Sequence, residues 1–196
     1  VIYIFFPYFS NVVVGDPVRG QTLIGWLNAS GGVLLALTAP FLGAIADKNG
    51  RRKPWIAATV ALMAIGAALL WFVEPGGRGL GIPATFALLL AISVAFAINE
   101  VFHNAMLPSI APAERVGVIS GLAFALGNVG GLVLMLTVLF AFALPATTAW
   151  TFVPDAPLLG LDQATHEHDR VVGPVAGLWM LLLTLPVLLC TPDGRA

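Results

Sequence analysis

Long apolar segments set the strongest constraint on what this chain can fold into. A helix that crosses a lipid bilayer needs about 20 consecutive, mostly apolar residues. Complete segments of this kind cover approximately residues 22–46, 54–73, 80–106, 117–144 and 171–190. A further apolar segment, residues 1–14, is too short to span, and we expect it to be the end of a helix that begins before Val1.

The composition excludes several classes of protein. The 196 residues are 59% hydrophobic and 10% charged, whereas a soluble domain carries about 25% charged residues. We therefore predict an all-α fold, a polytopic transmembrane helical bundle forming one domain over residues 1–196, with the lipid bilayer as its partner. The net charge of −1 provides no basic surface for nucleic acid. The single Cys190 excludes an internal disulfide framework and a cysteine metal cluster.

The connecting segments fall into two sets that differ in positive charge. The segments 47–53, 108–115 and 191–196 carry six Lys and Arg residues, and the segments 15–21, 74–79 and 145–170 carry three. Basic loops are retained on the cytoplasmic side of a membrane. We therefore predict that the first set, which includes the C-terminus, faces the cytoplasm from an inner or plasma membrane.

The segment GAIADKNGRRKPW, residues 43–55, contains a dense group of charges between two apolar spans. Five of the chain's nineteen charged residues lie within seven positions of it. Asn49-Gly50 favours a tight turn, and Pro54 suits the first turn of the next helix. Considered by composition alone, the segment is a positively charged hairpin that fixes the membrane topology.

The order of residues in this hairpin resembles a signature of the major facilitator superfamily, GxxxD(R/K)xGRR(K/R). In that family the signature lies between the second and third helices on the cytoplasmic side, which matches its position here. The resemblance implies a conformational latch, in which the Asp47 carboxylate meets the positive end of a helix in the other half of the protein. It also implies that the arginines hold that carboxylate and that Gly43 permits close helix approach. We call the matching residues the latch loop: Gly43, Asp47, Gly50, Arg51, Arg52 and Lys53.

A second resemblance concerns VFHNAMLPSIAPAERVGVISGLAFALGNVGG, residues 101–131, and FFPYF, residues 5–9. Both are similar to the vacuole-effluxer-like branch of the superfamily, and the resemblance covers the chain as an N-terminal six-helix half with a truncated first helix. GNVGG lacks the proline found in the glycine motif of drug antiporters, which argues against multidrug antiport.

The resemblance implies secondary active transport of a small solute by alternating access, within a twelve-helix protein. The expected partners are a C-terminal six-helix half and a small-molecule substrate, such as an amino acid or another metabolite. A membrane scaffold or assembly subunit that does not transport is the alternative. No Ser-His-Asp or HExxH arrangement can be assembled from the spans, so we do not expect an enzyme.

Polar residues within the apolar segments are candidates for a substrate cavity or for ion coupling, because they are costly in lipid. Asn128 lies about 17 Å along its helix from Gly117, close to the middle of the bilayer. It either lines a midplane substrate site or belongs to a helix contact made through Gly127 and Gly131.

Glu100, His103 and Asn104 share one helix face near the inner end of the segment 80–106, the fourth span when the truncated first segment is counted. They form either a solvated helix terminus or an inner gate that exchanges protons near pH 7. Asn28 and Ser30, in the outer leaflet, either line an outer vestibule or cap helix contacts.

The run His166-Glu167-His168-Asp169 contains residue types that bind metals. Its spacing does not match the HExxH helix motif, and a short run alone does not supply convergent ligands. We therefore expect a solvated outer loop here, with no metal site and no cofactor in the chain.

Overall fold

The computed structural model describes residues 2–49, 51–146, 148 and 150–193. Its α-helices are α1 (Ile2–Tyr8), α2 (Pro17–Asn49), α3 (Lys53–Leu69), α4 (Ile82–Ile110), α5 (Val116–Val138), α6 (Glu167–Arg170) and α7 (Val172–Cys190). Two of them continue as π-helical turns, at Phe9–Val13 and at Leu139–Ala143. Short 3-10 turns occupy Leu70–Phe72, Pro75–Gly77, Ala113–Arg115, Leu144–Ala146 and Leu158–Gly160.

The predicted all-α fold is confirmed for these residues, which contain no β-strand beyond an isolated bridge between Val73 and Gly79. Five helical stretches are long and apolar enough to cross a membrane: Pro17–Ile45, Lys53–Phe72, Ile82–Ile110, Ala113–Ala143 and Glu167–Cys190. They correspond to the five complete spans expected from the sequence. A helix satisfies its backbone hydrogen bonds internally, which is what a span in lipid requires.

The start of α2 differs from the sequence expectation, which began this span at residue 22. The helix begins at Pro17 because Asp16 caps it: Asp16 Oδ1 accepts hydrogen bonds from the backbone N–H groups of Val18 (2.9 Å) and Arg19 (3.1 Å). An aspartate cap followed by proline at the first helical position is a favoured start. The segment assigned to a loop at 15–21 therefore contains the first turn of a helix.

The end of α4 also differs, since the helix runs to Ile110 and not to 106. Pro108 lies inside this last turn, yet the helical bonding continues past it, because the Ala111 N–H donates to the Leu107 carbonyl at 3.0 Å. Ala111 is then extended, as the residue before Pro112 is expected to be.

The most enclosed span is α3, which packs against both α4 and α7. Within its most apolar window 44% of the residues are buried, compared with 6% for α2 and 6% for the span that contains α5. On the α4 side, Thr59 Oγ1 donates to Asn99 Oδ1 at 3.0 Å. The bundle is thus organised around α3, and α2 and α5 present most of their apolar surface outwards.

Two glycines bring α7 close to α3. A Cβ atom at Gly173 would collide with the carbonyl oxygen of Ala67 and lie 3.0 Å from Leu70 Cβ. A Cβ atom at Gly177 would lie 3.0 Å from the carbonyl oxygen of Ala64. Small residues at such positions allow helix backbones to approach closely in membranes.

The two ends of α3 contact different connecting segments. At the end where α3 begins, which we call the latch end, Lys53 Nζ donates to the Leu188 carbonyl at 2.7 Å. At the opposite end, which we call the histidine end, Tyr8 Oη donates to the Val73 carbonyl at 2.7 Å and Arg170 Nη1 to the Trp71 carbonyl at 2.8 Å. The latch loop and the segment after α7 therefore share one end, as the charge distribution predicts.

Replacing Gly173 with Ala is expected to destabilise the chain by about 1–3 kcal/mol, because the added methyl group overpacks the contact with α3. Thermal unfolding of the purified chain in detergent measures the effect. Gly117→Ala is the matched control, because nothing lies within 4 Å of a Cβ atom at that helical position. Equal unfolding temperatures for the two variants would contradict a tight α3–α7 contact.

Candidate functional site

A cavity of about 840 Å³ opens between α1, α4, α5 and the start of α7. Its polar lining residues are Tyr3, Glu100 and Asn128, and the others are apolar residues or glycines. Mostly apolar walls with a few polar groups are typical of a small-molecule site. Two of the sequence candidates, Glu100 and Asn128, thus line the same space.

Asn128 is exposed on α5, towards this cavity. Its amide nitrogen donates to the Phe124 carbonyl at 2.8 Å, which fixes the side chain and leaves the amide oxygen to accept a further bond. Nothing lies within 4 Å of a Cβ atom at Gly127 or Gly131, so no described helix packs closely there. The described helices therefore make no contact through these two glycines, and both roles considered for Asn128 stay predictions.

The predicted group of Glu100, His103 and Asn104 lines two different cavities. Glu100 lines the large cavity, whereas His103 and Asn104 line a second cavity of about 360 Å³ between α4, α5 and α7. His103 Nδ1 lies 3.2 Å from the Asn99 carbonyl on its own helix. Within the described chain Glu100 and His103 form no ion pair, so proton coupling by this pair stays a prediction.

The outer-leaflet candidate Asn28 is exposed on α2 and is not among the residues that line the two cavities. Its neighbour Ser30 donates its hydroxyl to the Trp26 carbonyl at 2.6 Å, which is a bond within the same helix. A vestibule role for Asn28 stays a prediction.

The latch loop is described in part. Asp47 lies near the end of α2, but its side chain and the whole of Gly50 are outside the described residues. Nothing lies within 4 Å of a Cβ atom at Gly43, so the close approach expected there does not involve the helices of the described chain. Arg51 is exposed, and Arg52 and Lys53 are half-buried at the start of α3.

Asp193 joins this loop to the segment after α7. Its Oδ1 atom accepts hydrogen bonds from the backbone N–H groups of Arg52 (2.9 Å) and Lys53 (3.3 Å). A carboxylate in this position satisfies free N–H groups and complements the positive end of the helix dipole. Lys53 in turn bonds the Leu188 carbonyl near the end of α7, where a cation is favourable.

At the histidine end, His166, His168 and Asp169 converge, and we call these three residues the histidine cluster. Asp169 Oδ2 lies 3.0 Å from His166 Nδ1 and 3.4 Å from His168 Nε2. His168 is only 7% exposed. The sequence expectation of a solvated loop is therefore wrong for His168, because the segment folds back onto α1 and the end of α3.

Comparison with known proteins identifies the family. The family model described as Major Facilitator Superfamily matches residues 1–187, nearly the whole chain. The chain belongs to the Major Facilitator Superfamily. With its five helices of spanning length, it is an integral membrane protein.

One curated relative from this superfamily is a Bacillus subtilis (strain 168) protein named "Uncharacterized MFS-type transporter YxiO". The two are 29% identical over 134 residues, which is 64% of this chain and 29% of the relative. The chain therefore spans less than a third of the length of that relative. No solved structure shows significant similarity to the chain.

Tyr3 and Asp193 are two residues of these sites that the sequence pattern does not single out. Tyr3 lies in the short first segment, where nothing marks it as a lining residue. Asp193 lies in TPDGRA, which the charge distribution groups with the latch loop. An acidic residue on the same side as a basic loop suggests that the two pair. Which groups of α3 it bonds depends on how α7 packs, which the sequence does not give.

Replacing Asp193 with Ala is expected to destabilise the chain by about 0.5–2 kcal/mol, the usual cost of losing a helix cap. Thermal unfolding in detergent and amide hydrogen exchange at residues 52–56 measure the loss. Asp193→Asn is the matched control, since its amide oxygen can still accept the two bonds. An Asp193→Ala variant as stable as the unmodified chain would show that the cap contributes nothing.

Proposed function

We propose that the chain is the N-terminal six-helix half of a secondary active transporter that moves a small solute by alternating access. The observation that carries this proposal is the cavity of about 840 Å³, in which Glu100 and Asn128 project from α4 and α5 among apolar residues. Superfamily membership supports it. Substrate sites of such transporters lie near the middle of the bilayer between repeated halves.

The partner in this proposal is a C-terminal six-helix half that covers the outward faces of α2 and α5. Support comes from the low burial of these two spans, 6% in each apolar window. Gly43, Gly127 and Gly131 also lie open, with nothing within 4 Å of a Cβ atom at any of them. Open glycines on a spanning helix suit close contact with another helix.

The substrate in this proposal is an amino acid or another small metabolite that carries an amino group. A carboxylate at Glu100 can pair with an ammonium group through charge-assisted hydrogen bonds, and the Asn128 amide can accept and donate hydrogen bonds. The similarity of residues 101–131 to the vacuole-effluxer-like branch supports the same class of solute. The latch loop faces the cytoplasm in this proposal, in an inner or plasma membrane.

Transport of a solute panel by the full-length protein in proteoliposomes tests the proposal. We expect uptake of at least one amino-containing solute, driven by an ion or solute gradient. No response to any gradient would contradict transport and favour the scaffold. Reading the open reading frame beyond Ala196 for six further spans tests the expected second half.

Replacing Asn128 with Ala is expected to raise KM for the transported solute about tenfold, because losing one well-placed hydrogen bond costs about 1.4 kcal/mol. Concentration-dependent uptake in proteoliposomes measures KM. Thr137→Ala on the same helix is the matched control, since Thr137 makes the same kind of bond within its helix but is not among the residues that line the cavity. An unchanged KM in the Asn128 variant would exclude contact with the solute.

Replacing Asp47 with Asn is expected to slow transport several-fold while membrane insertion stays intact, because the latch would lose its attraction to a helix N-terminus. Uptake rate and the yield of inserted protein are measured together. Glu114→Gln, in the other short loop assigned to the same side, is the matched control. Loss of insertion in the Asp47 variant would instead assign the loop to membrane topology alone.

A further inference from the structure

The histidine cluster at the histidine end takes no part in the transport mechanism proposed above. We propose that His166, His168 and Asp169 bind one divalent transition-metal ion of the zinc class. The three donors are two imidazole nitrogens and one carboxylate oxygen, a set that catalytic and regulatory zinc sites use with a fourth position open to water or another ligand.

The distances between the donor atoms suit such an ion. Ligands about 2.0–2.1 Å from a tetrahedral zinc ion lie roughly 3.3 Å from one another. Asp169 Oδ2 lies 3.0 Å from His166 Nδ1 and 3.4 Å from His168 Nε2, and all three donors lie within 4.8 Å of one another. The two distances from Asp169 are therefore close to those between ligands of one zinc ion.

The surrounding structure holds these donors in place before any ion binds. His168 is 7% exposed, and its Nδ1 atom is buried without a hydrogen-bond partner. The backbone of His166 is left-handed, with φ of 55°, which is uncommon for a residue other than glycine. Two bonds between Asp162 and Glu167 close the preceding turn: Asp162 N donates to Glu167 Oε2 (2.8 Å) and Glu167 N to the Asp162 carbonyl (3.0 Å).

The charged residues next to the histidine cluster do not oppose the binding of a cation. Arg170 is the nearest guanidinium in sequence, and it is engaged elsewhere: it stands over the Trp71 ring at 5.1 Å and bonds the Trp71 carbonyl. Glu167 Oε1 lies 3.9 Å from Arg170 Nη2 and offsets its charge. With neutral imidazoles, the run from His166 to Arg170 therefore has a net charge of −1.

The choice of ligand class follows from the donor atoms. Imidazole nitrogens select zinc and neighbouring transition metals, whereas calcium and magnesium prefer sets made of oxygen atoms. A bound ion would fasten the segment before α7 to the rest of the bundle, because the His166 ring contacts the Tyr8 ring (5.7 Å between centroids). Tyr8 in turn bonds the turn after α3 at Val73.

Isothermal titration of zinc into the whole 196-residue chain, purified in detergent without a histidine tag, tests the proposal. We expect one ion per chain with a dissociation constant in the micromolar range or tighter. His166→Ala and Asp169→Asn are each expected to weaken binding at least tenfold. Cobalt as a spectroscopic substitute is expected to give the strong visible absorption of a tetrahedral site.

The chain supplies its own controls. His103 is the only histidine outside the cluster and Cys190 the only cysteine, so His103→Ala and Cys190→Ser are expected to bind zinc as the unmodified chain does. No binding, binding unchanged by His166→Ala and Asp169→Asn, or loss of binding in either control would overturn the proposal. Because the readout is binding, transport activity does not affect it.

Discussion

The close contact between α3 and α7 is the interaction on which the remaining arrangement depends. Water does not reach the interior of a bilayer, so helix association there relies on close packing more than on the removal of apolar surface from water. Gly173 and Gly177 provide that packing against Ala64 and Ala67. With the two helices in this register, the residues beyond each end of α7 reach the corresponding end of α3.

The spans and the all-α class could be predicted because membrane thickness imposes a minimum length on apolar segments. The sequence could also predict which connecting segments lie at the same end of the bundle. The bond from Lys53 to the Leu188 carbonyl near the end of α7 agrees with that prediction. The start of α2 was missed although Asp16-Pro17 is a recognisable helix start, because the polar character of residues 15–21 suggested a loop. The start of α2 is set by the Asp16 cap more than by the hydropathy of the segment.

The sequence could predict two of the polar residues that line the large cavity, but not which of the predicted residues lie together. Asn128 and Glu100 stand out as polar groups in apolar helices, and both line the large cavity. Which groups share a cavity depends on helix rotation, and the sequence placed Glu100 with His103 and Asn104, which line another. The run from His166 to Asp169 was expected to be a solvated loop because it lacks the HExxH spacing, whereas the burial of His168 and the left-handed backbone of His166 depend on tertiary packing.

The cap that Asp193 places on α3 connects residues 141 positions apart in the chain. A ribosome releases the start of α3 long before it releases Asp193. During synthesis the first N–H groups of α3 must therefore be satisfied by water or lipid headgroups, and the final bonds form only after α7 has left the ribosome. Completion of α7 is thus an assembly step for the latch end, because the bonds from Arg52 and Lys53 to Asp193 cannot form before it.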